Sequence, residues 1–177
     1  MLGSSFARFA IASVLPVVAL VSSTYPSIAQ ESYSGIRIPA QEAATKLKAR
    51  TNVPIFIPDM IPIGIEEDVH ITLKSNDGGY EMSLDFTPDC NGQTYCHIGS
   101  ITAKRGGQFS SKSGARVYEG VQLQGGMKAL HTEFCGALCQ ANLEWKVGGI
   151  LYRINIKNGV YESLIGAANS AVSAGQR

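Results

Sequence analysis

The chain has 177 residues, 15 Lys+Arg against 14 Asp+Glu, a formal net charge of +1 and a hydrophobic share of 45%. That length suits one folded domain, the apolar share excludes a disordered tail, and a near-neutral chain without a basic run is a poor nucleic-acid binder. Beyond the N-terminus no apolar stretch is long enough to cross a bilayer, so no membrane span is expected in the rest of the chain.

Met1 to Ala29 reads as a secretory signal peptide. Arg8 supplies the positive start, and Phe9 to Val21 form an apolar core of 13 residues. A membrane helix needs about 20, and Pro16 interrupts this one. Ser27 and Ala29 are small residues of the kind found just before a cleavage point, which predicts a cut ahead of Gln30. No Cys stands there, so a lipid anchor is not expected. Removing 29 residues leaves 148, with 14 basic and 14 acidic, formally neutral. A chain of that size can bury a true hydrophobic core. The expected location is periplasmic or secreted.

Residues 30–38 read as a flexible polar lead-in, and 39–177 as a single α+β domain. Pro39 to Arg50 predicts a helix, because Pro suits the first turn and Ala40, Ala43, Ala44 and Leu47 share a stripe. Thr51 to Gly64 carries Pro54, Pro58 and Pro62, which exclude a helix there. Seven bulky apolar residues in it need cover, so it should run extended along the core as an edge.

Strands follow. Val69, Ile71 and Leu73 alternate with His70, Thr72 and Lys74. Tyr80, Met82, Leu84 and Phe86 alternate with Glu81, Ser83, Asp85 and Thr87. Asn76 to Gly79 between them is hairpin chemistry. Tyr95 to Ala103 is a third strand, and Lys104 to Gly114 a mobile polar loop. Arg116 to Leu123 and Met127 to Phe134 form a hairpin about Gln124-Gly125-Gly126. Leu143 to Val147 and Tyr152 to Ile156 form another about Gly148-Gly149. Asn158-Gly159 turns the chain into a closing helix, Tyr161 to Ala174. The expected fold is α+β: an antiparallel sheet of about six to seven strands, with an N-terminal and a C-terminal helix packed against it.

The four cysteines, Cys90, Cys96, Cys135 and Cys139, all lie in the exported part. An even count in an oxidising compartment favours two disulfides. Cys90–Cys96 and Cys135–Cys139 is the preferred pairing, each closing a turn and stabilising by roughly 2 kcal/mol. The crossed pairing stays open. A thiolate-rich zinc site that includes His97 is the competing reading, although C-x5-C and C-x3-C lack the usual knuckle spacing. No C-x-x-C supports redox catalysis.

Catalytic constellations are not legible. His70, His97 and His131 are expected at outward or loop-proximal strand positions. No H-E-x-x-H pair and no Gly-x-Ser-x-Gly elbow occurs. Gly106 to Ser113 has only a chance likeness to a phosphate loop. Glu81, Asp85 and Asp89 recur every four residues, as on any solvated strand face. Asp85, Asp89 and Asn91 fit no calcium-loop pattern. No catalytic residue, cofactor site or metal site is assigned, and no cofactor is expected.

Leu47 to Pro62, with the pattern Thr51-x-Val53-Pro54-x-x-x-Pro58-x-x-x-Pro62 after a helix, resembles the opening of small exported proteins of cyanobacterial type. Phe134-Cys135-Gly136-Ala137-x-Cys139, then Leu143-Glu144-Trp145 and Tyr152-Arg153-Ile154, resembles their second half. The hairpin that leads to Glu162-Ser163-Leu164-Ile165 and Ala168-Asn169-Ser170 is also similar to an extracytoplasmic domain of unknown function in sporulating bacteria. The resemblance implies export but no activity. The expected function is a non-enzymatic envelope or periplasmic module that binds an unknown partner or ligand. The loop 104–114 and the two Cys turns are its candidate surfaces. The alternative is a small extracytoplasmic hydrolase of wall or glycan using Asp85, Asp89 or His97.

Overall fold

The chain is described by a computed structural model over residues 34–64 and 68–177. The expected signal peptide and its cleavage point lie outside these residues. Ile36–Arg37 (β1) pairs antiparallel with Met60–Ile61 (β2) as a two-stranded ribbon. Ile36 and Ile38 are buried. This corrects the expectation of a flexible lead-in for these residues, because both isoleucines enter the core.

Ala40–Lys48 (α1) forms with Pro39 at its N-cap position. Its stripe of Ala40, Ala43, Ala44 and Leu47 is buried. The amides of Arg50 and Thr51 both donate to the Leu47 carbonyl and close the helix, so it ends before Arg50.

The alternating segments become seven strands: His70–Asn76 (β3), Gly79–Asp85 (β4), His97–Arg105 (β5), Arg116–Gln122 (β6), Lys128–Cys135 (β7), Cys139–Val147 (β8) and Ile150–Lys157 (β9). All neighbours are antiparallel, in the order β3-β4-β5-β9-β8-β7-β6. The two-residue turn between β8 and β9 is Gly148-Gly149, with φ of 56° and 78°. Positive φ at both positions suits the strand twist and favours Gly. Tyr161–Ala174 (α2) closes the chain and buries Leu164, Ala167, Ala168 and Ala171. The fold is therefore α+β, with a seven-stranded antiparallel sheet and two helices. Both helices contribute to the core that the sheet's inner face lines with Met82, Ile101, Leu143, Trp145 and Ile154.

Strand order makes the chain cross the sheet. β9 returns to the centre beside β5, so β6 starts the far half at the opposite edge. Residues 106–115 must span from the end of β5 to the start of β6, and they do so over the outer, polar face.

The Pro-rich segment buries Val53, Ile55, Phe56 and Ile57. Only Met60–Ile61 is a strand, and it pairs with β1 rather than with the sheet. The expected sheet edge is thus corrected to a strap. Buried main chain without a ladder needs other partners, and tyrosines supply them. The Tyr80 hydroxyl accepts from the Phe56 amide at 3.1 Å and donates to the Phe56 carbonyl at 3.0 Å. The Tyr152 hydroxyl donates to the Pro54 carbonyl at 2.9 Å. Burial pushes the Tyr152 phenol up to about 12 and the Tyr80 phenol further in the same direction. Both therefore stay protonated and able to donate.

Candidate functional site

The sheet has two dissimilar ends. At one lie the β3–β4 and β8–β9 hairpins and the end of β5. At the other lie both cysteine turns. Each end carries a hollow.

The hollow at the hairpin end has a volume of about 590 Å³. Strand alternation places Lys74 of β3, Glu81 of β4, Lys104 of β5 and Arg153 of β9 on the outer face, where they frame it. Arg105 and Gln108 add the wall on the loop side. Gly79 and Gly107 lie in its lining without side chains. A Cβ on Gly79 would stand 2.1 Å from the Ala103 carbonyl oxygen, and one on Gly107 would stand 2.8 Å from the Leu151 Cβ. Close backbone approach thus keeps this part of the lining bare.

The crossing segment 106–115 is pinned to the sheet beside this hollow. Glu144 of β8 is 0% exposed. Its carboxylate accepts from the Ser110 amide at 2.7 Å, the Ser110 hydroxyl at 2.8 Å and the Arg153 Nε at 2.5 Å. Arg153 also donates to the Ser110 hydroxyl at 3.1 Å. Lys146 reaches Gln108 at 3.3 Å and lies 5.1 Å from the centre of the Phe109 ring. The segment expected as a mobile loop is therefore tethered at its middle. A buried carboxylate must find donors, and these are the ones the alternation of β8 and β9 leaves within reach. Lys112 pairs with Glu119, and β6 rather than a helix follows the segment, so it lacks the strand-loop-helix context of a phosphate loop.

The second hollow, about 340 Å³, lies at the cysteine end. Cys90 is bonded to Cys96 and Cys135 to Cys139. Thr94 of the first turn and Gly136 and Leu138 of the second line this hollow together. The Lys157 ammonium of β9 donates to the Thr94 carbonyl at 2.7 Å. With all four sulfurs in disulfides, the zinc reading has no thiolates to use.

Of the residues named for the hydrolase alternative, Asp85 and His97 come together. Asp85 is buried, and its Oδ1 lies 2.7 Å from the His97 Nδ1. Asp89 is exposed in the turn, where its main-chain carbonyl accepts from the Asn91 side-chain Nδ2. Neither Asp85 nor His97 lines either hollow. Among the described residues no hydroxyl or thiol hydrogen-bonds His97. The pair can orient an imidazole, but no nucleophile is presented to it.

His131 departs from the outward position expected for it. It faces the core from β7 and is fully buried. Its ring packs 4.7 Å from that of Tyr118 and 5.0 Å from that of Tyr161. Neither ring nitrogen has a hydrogen-bond partner among the described residues. Burial lowers its pKa, against a smaller upward pull from Glu133 and Glu162. An unfolded His titrates near about 6.5, so below that value the unfolded chain takes up a proton that the folded chain refuses. Stability is therefore full above about pH 6.5 and falls as the pH drops toward the lower folded value. Melting temperatures at about pH 7 and about pH 5 should differ more in the wild type than in His131→Phe, which keeps the ring and removes the titration. Equal differences would refute this assignment.

The sequence reading did not single out Lys74, Glu144 or Arg153. The signal was present only as the polar half of each alternation, since strand order decides which polar residues meet.

Among the described residues no helix is long and apolar enough to cross a membrane. Compared with protein-family models, curated proteins and solved structures, the chain has no match.

Proposed function

We propose that this protein is an exported, non-enzymatic binding module of the periplasm or cell envelope, and that its ligand seats in the cleft at the hairpin end. The observation that carries this reading is the cleft itself. It offers about 590 Å³ with charged side chains on rigid strands and a tethered loop along one wall. That is the size of a small-ligand site. Two disulfides agree with an oxidising compartment. The resemblance to small exported proteins points the same way. In this reading both helices pack on the inner face and leave the outer face to recognition. Binding is favoured over hydrolysis because Asp85 and His97 stand at the cysteine end, away from the cleft.

The test has two parts. Fractionation and N-terminal sequencing should recover the protein outside the cytoplasm, beginning at Gln30. A chain in the cytoplasm that still starts at Met1 would overturn the export reading. Immobilised protein should retain material from an envelope extract that Lys104→Glu does not retain. Equal retention by both would remove the cleft from consideration.

A further inference from the structure

Resting on the reading of this cleft as the binding site, we infer that its ligand is a saccharide carrying an oxyanion, either carboxylate or sulfate. Charge comes first. Arg153 is compensated by the buried Glu144. Glu81 lies directly across from Lys74 in the β3–β4 register. Lys104 on β5 then leaves the cleft with an excess of positive charge. Lys74 and Lys104 are exposed, and among the described residues neither ammonium is held by a hydrogen bond or salt bridge. Arg105, one residue on and of opposite parity, turns to the inner face and contacts the Asn52 carbonyl at 3.4 Å, so it does not add to this excess. Lys74 and Lys104 are thus free to turn toward an anion, which charge-assisted hydrogen bonds would hold.

Glu81 separates the ligand classes. A carboxylate at the rim repels a bare phosphate or sulfate ion, yet it is a strong acceptor for a hydroxyl. Asn76 and Thr102 add neutral donors and acceptors to the same lining. A ligand that satisfies both sets carries one anionic group beside several hydroxyls.

The full-length export product is titrated with four probes: an oligogalacturonide, a sulfated oligosaccharide, a neutral cello-oligosaccharide and inorganic sulfate. Calorimetry reads the affinity. One or both acidic sugars should bind, and the two arms identify which oxyanion is preferred. The neutral sugar and the free ion should bind at least about tenfold more weakly. Raising salt from about 0.05 M to about 0.5 M should weaken the acidic sugar further. Lys74→Gln and Lys104→Gln should each lower its affinity about tenfold at unchanged melting temperature, since both side chains are exposed.

Two results overturn the saccharide assignment and spare the binding site. One is that no acidic sugar binds while extract material is still retained in a Lys104-dependent way. The other is that the neutral sugar or the free ion binds as well as the acidic sugars. Binding of acidic sugars that both Lys variants leave unchanged overturns the assignment to this cleft. Retention of neither sugar nor extract material overturns the assignment and the binding reading together.

Discussion

Arg153→Met is expected to destabilise the protein by about 3–5 kcal/mol, and to do so more than Glu144→Gln. The asymmetry follows from burial. Glu144 is 0% exposed, whereas the Arg153 side chain is 34% exposed. Removing the arginine leaves a buried carboxylate without a cation. The Ser110 amide and hydroxyl still donate to it, which holds the loss toward the lower end of that range. Removing the charge of Glu144 instead leaves an arginine that can turn toward water, and the Gln oxygen can still accept from Ser110. That variant should lose only about 1–2 kcal/mol. The double variant should be close to Arg153→Met alone or better, because it strands no charge. Urea denaturation of the three proteins measures the comparison. A larger loss in Glu144→Gln than in Arg153→Met would refute it. The crossing segment should also be cut sooner by protease in Glu144→Ala, which removes both acceptors of Ser110. Unchanged cleavage within 106–115 would show that the segment is held by something else.

The same pair shows where the sequence stops being informative. Alternation placed Glu144 and Arg153 on the outer face, and local turn chemistry placed Gly148-Gly149 between their strands. These are short-range facts, and they come from period and propensity. What buries Glu144 is the chain crossing above it, and that crossing exists only because β9 inserts between β5 and β8. Nothing in the residues 106–115 themselves announces it. They read as a polar loop, and the strand order turns them into a cover.

A similar gap separates the two readings of the Pro-rich strap. Its apolar residues showed that it must be covered. Its lack of a ladder follows from proline. The partners that replace the ladder are Tyr80 and Tyr152, 24 and 98 residues away in sequence. The inward turn of His131 has a related cause. Alternation within β7 shows two faces but not which one meets the core, because Ala129, His131 and Glu133 look no drier than Leu130 and Thr132. Pairing with Leu143 of β8 turns His131 inward. The cleft shares this origin. Its charges come from strands β3, β4, β5 and β9, and only the register brings them together.

Trp145→Ala should destabilise the protein by about 3–5 kcal/mol, whereas Trp145→Phe should lose no more than about 1.5 kcal/mol. Trp145 is the single tryptophan of the chain and is fully buried on the inner face. Its ring stacks on Tyr152 with centroids 5.6 Å apart and planes 19° from parallel. Tyr152 in turn meets Phe56 edge-on at 5.0 Å and holds the Pro54 carbonyl. The indole therefore supports the strap through one intermediate ring, and truncation opens a cavity beneath both. Phenylalanine keeps most of the stack. It also deletes an indole N–H that has no partner among the described residues, so no acceptor is stranded. Tryptophan emission follows wild-type unfolding directly, and far-ultraviolet circular dichroism follows all three proteins on one scale. If Trp145→Phe proves as damaging as Trp145→Ala, the N–H has a partner and the stacking account of this core fails.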